Sequence, residues 1–313
     1  MSGYQALWER AAWLDLSQRG RIRATGEDRL RLLHAMSTNA VEGLKPSEGA
    51  RALFLDVHGH ILADSHIWVF EDSVLLDTEP ETRQSLVDHL EKFIIMDDVT
   101  LEDVTDTKAA IAVEGPEAKT VIENEIGRAP EESEHHLTAD GVTVVAVSAT
   151  GQPGYRLLTE AGSKDDLIGR LEAAGVSAAS PEEARVVRVE NGVPRHTEDF
   201  FETTLTQESG QMSCVSFEKG CYLGQEIVER VRARGEVKRQ LVQIEVDAEE
   251  PPPAGSPVLS DGREIGTLTS PVLSHKMSAC LGFSIARRDA VGPSHTLTVA
   301  GHTARVRIES EAV

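Results

Sequence analysis

Apolar residues along this chain recur with two periods, and the alternation between those periods sets out its elements. From Tyr4 to Leu16, YQALWERAAWLDL predicts an amphipathic helix or a helix followed by a short strand. RGRIRATG, from Arg19, reads as a strand, and GEDRLRLLHAMSTNAVEGL, from Gly26, returns to helical spacing at Leu30, Leu33 and Met36. ALFLDVHGHILADSHIWVF reads as two strands around a turn at His58 and Gly59, and EDSVLLDTE adds another strand after a turn.

PETRQSLVDHLEKFIIM opens on Pro80 and places Leu86, Leu90 and Phe93 at helical spacing, so a helix closing on a strand is expected there. KAAIAVEG then reads as a strand and GPEAKTVIENEIG as a helix. GVTVVAVSATGQPGYRLLTE reads as two strands and SKDDLIGRLEAAG as a further helix. This order suggests a small α+β unit between about Asp72 and Gly175, ferredoxin-like in its sequence of elements.

The pattern changes after Arg234. GEVKRQLVQIEVDAEE leads into PPPAGSP, whose successive prolines cannot donate backbone hydrogen bonds, so that stretch is a loop. Beyond it, PVLS, REIGTLTSPVLS, SACLGFSIA and HTLTVAGHTARVRI alternate with Gly, Pro and Asp turns, as in an all-β barrel or sandwich. No internal repeat or low-complexity tract interrupts the pattern.

Composition narrows the partners. The 313 residues suffice for two or three compact parts. Against 52 Asp and Glu stand 31 Lys and Arg, a net charge of -21, which disfavours a general grip on a nucleic-acid backbone. Three cysteines, Cys214, Cys221 and Cys280, make no disulfide framework, so a reducing compartment is the default. The N-terminal stretch carries Glu9 and Asp15, and no apolar run approaches the roughly 20 residues that span a bilayer. Neither an export signal nor a membrane helix is expected, and the location read from this is cytoplasmic.

Two short stretches concentrate chemistry. Lys219-Gly220-Cys221-Tyr222-Leu223-Gly224-Gln225-Glu226 packs a cation, a thiol, a phenol, an amide and a carboxylate around two glycines. A nearby lysine or helix N-terminus would lower the thiol pKa, making Cys221 a nucleophile, a redox site or a transient metal ligand. The plainer alternative is a glycine turn into a helix that begins at Gln225 or Glu226, with a half-buried cysteine. The second stretch, ENGVPRHTEDFFE, combines Glu190, Arg195, His196, Asp199 and Glu202 with two aromatics. Its carboxylates suit the amino-pyrimidine edge of a pterin and its aromatics the pterin rings, although a surface loop has the same composition. Lys219, Arg195 and Arg230 together would give a local positive field within the acidic whole.

Other groupings carry less. Cys214 and Cys221 could face one another, and Cys280 in ACLGF reads as packing. Without a CxxC pair or a His/Cys quartet, no stable metal site is expected. His34, His58, His60 and His66 could converge but read as surface or packing groups, and Asp97 with Asp98 as a solvated boundary. There is no HExxH, GxSxG, Walker or dinucleotide fingerprint.

KGCYLGQE, followed by Arg230 and RGEVKRQLV, resembles the signature of the YgfZ-type folate-binding proteins, relatives of the glycine-cleavage aminomethyltransferase and of a mitochondrial iron–sulfur assembly factor. RVENGVPRHTEDFFETTLTQESG resembles the same group's Arg-x-Glu-x-Gly-x-Pro-Arg region, and the opening from Arg19 to Asp64 resembles its N-terminal part, so the likeness covers nearly the whole chain. The resemblance implies an aminomethyltransferase-like α+β architecture in three parts around a central opening, with a ferredoxin-like middle part and a C-terminal β-barrel. On this basis residues 1–235 are expected to form a folate-binding α+β region, with 72–175 as its ferredoxin-like portion, and 236–313 the barrel.

The resemblance further implies tetrahydrofolate or a derivative as ligand, a role in assembling or repairing iron–sulfur clusters, and client or assembly proteins as partners. No nucleic acid, no membrane and a monomeric state complete the expectation. Cys221 is carried over as the functional thiol, with Lys219, Tyr222, Gln225 and Arg230 at signature positions. Glu202 matches the carboxylate that the aminomethyltransferases use against the pterin, and His196 falls where they place tyrosine. Asp64 aligns with one member of their acidic pair, and Glu190 lies in the Arg-x-Glu region. One-carbon transfer to or from tetrahydrofolate, and a folate-regulated scaffold, are the competing readings.

Overall fold

The computed structural model describes residues 1–235, 237–292 and 294–309. The chain forms two compact units. The first comprises Met1–Leu55, Leu62–Val187 and Cys214–Leu223; the second takes Asp56–Ile61, Arg188–Ser213 and the chain from Gly224 onward.

The first unit holds two sheets. In one, the strands run in the order Gly49–Leu55, Ile61–Val69, Ser73–Thr78, Gly20–Thr25 and Thr100–Asp103. Apolar residues at alternate positions, such as Ile22 with Ala24 and Val74 with Leu76, point to one face because side chains alternate along a strand. That face is covered by Leu33 and Met36 of the helix Arg29–Met36 and by Leu86 and Leu90 of the helix Arg83–Glu91. Each fully buried leucine contributes about 1.5–3 kcal/mol by leaving water.

The other sheet runs Ser177–Ala178, Ala12–Asp15, Lys108–Glu114, Gly154–Glu160, Val142–Val145 and His136–Ala139. Ile122 of the helix Ala118–Ile126 and Leu167 and Leu171 of the helix Lys164–Ala173 close its core. Ala12–Asp15 comes from the far N-terminus and pairs antiparallel with Lys108–Glu114 and parallel with Ser177–Ala178. The opening stretch is therefore both a helix, Gly3–Glu9 with a Ser2 capping box, and a strand. Of the stretch expected as one unit over 72–175, Ser73–Thr78 and Thr100–Asp103 pair in the five-stranded sheet, and the six-stranded sheet takes the chain from Lys108 onward.

A buried ionic cluster joins strands of both sheets. Asp77 accepts from Arg19 Nε at 2.5 Å and from Arg156 Nη1 at 2.7 Å, and its side chain is fully buried. Burial alone would raise its pKa, but the Arg156 and Arg19 guanidiniums hold it at about 2.

The helix after Pro80 is shorter than its apolar spacing predicts. It ends at Glu91, and Phe93, Ile95 and Met96 are exposed, the last at 94%. Asp97 pairs with Arg31, and Asp98 accepts from the Glu27 backbone at 3.0 Å, which draws the chain away from the helix axis toward the start of Arg29–Met36. Asp97, half-buried, and Asp98, exposed, mark the boundary between that helix and the strand Thr100–Asp103 and also tie the chain down.

The second unit contains a seven-stranded antiparallel sheet, ordered Arg263–Thr267, Pro257–Ser260, Leu297–Val299, His302–Glu309, Arg239–Val246, Ala279–Arg287 and Thr269–Ser274. The Arg239–Val246 strand lies inside the sheet, between His302–Glu309 and Ala279–Arg287. Gln240 and Gln243 are buried along with Leu241, Val242 and Ile244, so both faces are covered and the polar positions do not mark solvent. The Gln243 amide instead donates to the Val189 carbonyl. Among the described residues, no helix is long and apolar enough to cross a membrane.

Candidate functional site

The helix Arg29–Met36 ends with carbonyls that have no partner within the helix, and its C-terminal end carries partial negative charge. Lys219 is placed against that end. Its ammonium donates to the carbonyl of His34, to that of Ser37 at 2.6 Å and to that of Asn39 at 3.1 Å. It also lies 4.9 Å from the centroid of the Tyr222 ring. Burial pushes the Lys219 pKa down to about 8.

Further bonds lace this segment to the same helix exit. Thr38 Oγ1 donates to the Cys214 carbonyl at 2.6 Å, Ser216 N donates to the Thr38 carbonyl at 2.9 Å, and Leu223 N donates to the Ala35 carbonyl at 3.1 Å. Tyr222 is buried, while Gly220 and Cys221 between it and Lys219 are exposed. The chain is thus fixed on both sides of a thiol left in solvent. Cys214 is buried, as is Cys280, whose Sγ lies 3.2 Å from the Ala248 carbonyl.

His34 flanks the same turn. Its Nδ1 accepts from Val41 N at 3.2 Å and Glu42 N at 3.3 Å, so a neutral ring carries its proton on Nε2. Burial, then the Lys219 charge, lower its pKa. A Cβ built at Gly220 would sit 3.9 Å from that Nε2 and meet no other atom within 4 Å, so the space above the turn is open.

Asp64 sits on the strand Ile61–Val69 and is nearly buried. Arg51 grips both its oxygens, with Nε at 2.9 Å from Oδ1 and Nη2 on Oδ2. Burial opposes the Arg51 charge, and Asp64 more than restores it. His66 Nδ1 lies 2.8 Å from Glu134 Oε1, and Trp68 Nε1 donates to Glu134 Oε2 at 2.9 Å.

In the second unit the stretch 190–202 divides sharply. Asp199, fully buried, accepts from Arg188 Nη1 at 2.8 Å, Arg195 N at 2.9 Å, Thr269 Oγ1 at 2.8 Å and Ser270 Oγ at 2.5 Å. Glu190, also buried, accepts from Ser274 Oγ at 2.6 Å. His196 is buried with its ring 5.1 Å from that of Phe200. Glu202 is exposed, so of the three carboxylates suited to a pterin only this one faces solvent.

Gly224 has φ of 83°, a left-handed turn open to glycine, and starts the helix Gln225–Arg234 as the sequence predicts. Gln225 is partly buried in its first turn, and Arg230 pairs with Glu226 one turn earlier on an exposed face. Gly59, with φ of 78°, carries the turn in which Asp56 Oδ1 accepts from His58 N at 2.8 Å and His60 N at 2.9 Å. A Cβ at Gly59 would meet Ile227 at 2.9 Å. His58 and His60 share Asp56, with ring centroids 6.3 Å apart, while His34 and His66 have partners of their own, and no group able to hold a metal forms among the described residues.

Arg188, Arg51, Ser270 and Ser274 were not singled out from the sequence. Arg188 had a signal, two residues before Glu190; the serines had none, because they meet their carboxylates across 71 and 84 residues.

Residues 2–219 match the GCVT N-terminal domain, and residues 239–311 match the glycine cleavage T-protein C-terminal barrel domain. The chain belongs to this family. It superimposes on the glycine cleavage system aminomethyltransferase T from Bartonella henselae with a TM-score of 0.89 at 17% identity, over 98% of this chain and 87% of that one. This establishes the aminomethyltransferase-like α+β fold.

Among curated relatives, a chloroplastic protein of Arabidopsis thaliana described as a putative transferase is 28% identical over 91% of this chain and 67% of its own length. An aminomethyltransferase of Synechocystis is 24% identical over 97% of this chain and 86% of its own. The tRNA-modifying protein YgfZ of Hamiltonella defensa is 26% identical over 72% of this chain and 67% of its own. With KGCYLGQE in place, the chain is a YgfZ-like member of the family.

Proposed function

We propose that this protein binds tetrahydrofolate or a derivative and supports the assembly or repair of iron–sulfur clusters in client enzymes, with Cys221 as its working thiol. The observation that carries the reading is the presentation of Cys221 in solvent, at the middle of the YgfZ-like signature and between two anchored neighbours. A buried thiol would be inert toward a partner; an exposed one is open to exchange.

The donor set suits a pterin in one respect. Glu202 offers an exposed carboxylate for an amino-pyrimidine edge, while Asp199 and Glu190 are engaged by groups of their own unit. The engagement of Asp64 by Arg51 weighs against aminomethyl transfer, since a carboxylate gripped at both oxygens is a poor acceptor for a substrate proton. The charge of -21 weighs against direct handling of RNA, so any part in tRNA modification would run through enzymes that carry clusters.

Calorimetric titration of tetrahydrofolate into wild type and Glu202→Gln tests the ligand. Glu202→Gln is expected to weaken binding about 10- to 100-fold, the worth of a charge-assisted hydrogen bond. Equal binding by both proteins removes Glu202 from the site, and no binding by wild type removes the ligand. Turnover of an aminomethyl donor, retained in Cys221→Ala, would replace the reading with transfer. Full activity of client iron–sulfur enzymes in cells whose sole copy is Cys221→Ala would leave a folate-regulated scaffold.

A further inference from the structure

We propose that Lys219 is a positioning residue for Cys221, a latch that closes the end of the helix Arg29–Met36 and so holds the Gly220–Cys221 turn with its thiol outward, rather than a cation that activates the thiol. The inference rests on Cys221 as the working thiol, but its test does not depend on folate or clusters.

Three features carry it. First, the ammonium is committed: its acceptors are the carbonyls of His34, Ser37 and Asn39, and among the described residues it pairs with no carboxylate. Second, it works together with Tyr222 on the other side of the thiol, so the two-residue turn between them is fixed at both ends. Third, the latch is held against an electrostatic cost, since burial favours the neutral amine. A helix end can be closed by water or by a glycine without that cost, so the half-buried Lys219 is read by what it orients.

His34 is the other titratable group facing Lys219 from the helix, and its Nδ1 is occupied by two backbone N–H groups. His34 is therefore a hydrogen-bond donor toward the turn, and the Lys219 ammonium is taken up by the three carbonyls.

The test attaches a methanethiosulfonate nitroxide to the full-length protein. Cys214 and Cys280 are buried, so one label per chain is expected, and none on Cys221→Ala. In Lys219→Met the label's rotational correlation time at room temperature is expected to fall severalfold, and Lys219→Arg, which keeps the charge and the donors, is expected to restore the slower motion. Alkylation of Cys221 by iodoacetamide is followed across pH in the same proteins. A positioning role leaves the midpoint of that profile where it is, whereas an activating cation would move it upward on removal.

A label equally immobile in Lys219→Met, or a displaced alkylation midpoint, overturns the proposal. Lys219→Gln serves as a second variant; if both uncharged variants fail to fold, Lys219 is a determinant of the fold and the positioning role is overturned as well. If the latch behaves as stated and Cys221→Ala leaves client enzymes untouched, the proposed function fails and the latch stands.

Discussion

Residues 188–202 and 214–223 both carry polar groups held by hydrogen bonds, and the structure uses them in opposite ways. Around Asp199 every donor within reach turns inward: one guanidinium, one backbone amide and two hydroxyls converge on a single buried carboxylate. Around Cys221 the polar groups brace the chain and leave the thiol out. The first arrangement stabilises the unit that contains it; the second spends stability to present one atom. A cluster of polar residues becomes a candidate site only at the atoms its neighbours have not already taken.

The contrast fails first if Asp199 is dispensable. Asp199→Ala takes from Arg188 one of its two carboxylates and leaves two hydroxyls and a backbone amide without their buried acceptor, and a loss of about 3–5 kcal/mol is expected in urea unfolding. A loss under about 1 kcal/mol would return Asp199 to the pool of ligand-binding carboxylates.

Asp77 extends the inward pattern to the first unit and gives it a pH signature. Its folded pKa of about 2 lies below the unfolded value near 3.9, so its stabilisation is complete above about pH 3.9 and is lost as the pH falls through about 2. The amount is about 2–3 kcal/mol. Urea midpoints of wild type and Asp77→Asn are therefore expected to converge between pH 5 and 1.5; parallel curves would deny the ion cluster its role.

Lys219 has the same sign of slope for a different reason, because burial disfavours its charged form. Its folded pKa of about 8 lies below the unfolded value near 10.4, so between these pH values the unfolded chain holds more protons and the group's contribution to stability rises with pH. Wild type should gain on Lys219→Met from pH 8 to 10, read as the difference in urea midpoints. A difference that shrinks over this range would mean that the three carbonyls outweigh the burial.

The smallest expected effects lie at the presented atoms. Cys221→Ala and Glu202→Gln should each change stability by no more than about 0.5 kcal/mol, since neither side chain is buried. A loss above about 1 kcal/mol in thermal unfolding would make that residue part of the inward pattern.

Much of the fold is legible in the sequence. The strands on either side of Gly59, the helix after Gly224 and the loop of three prolines follow from local rules, because period, positive φ and the missing proline donor act within a few residues. In the Arg239–Val246 strand Gln240 and Gln243 are buried with their apolar neighbours, which only the covering chain explains. The helix after Pro80 was read too long because the carboxylates that stop it are held by the start of another helix.

The candidate site divides in the same way. By itself the sequence determined the family signature, the single thiol within it and the acidic balance of the chain, since identity, count and net charge need no coordinates. Only the tertiary structure decided that Lys219 faces carbonyls, that Arg51 holds Asp64, and that Asp199 and Glu190 are engaged while Glu202 and Cys221 face solvent. The physical reason is that a polar atom's availability depends on partners as far as 185 residues away, and spacing along the chain does not encode which of them it meets.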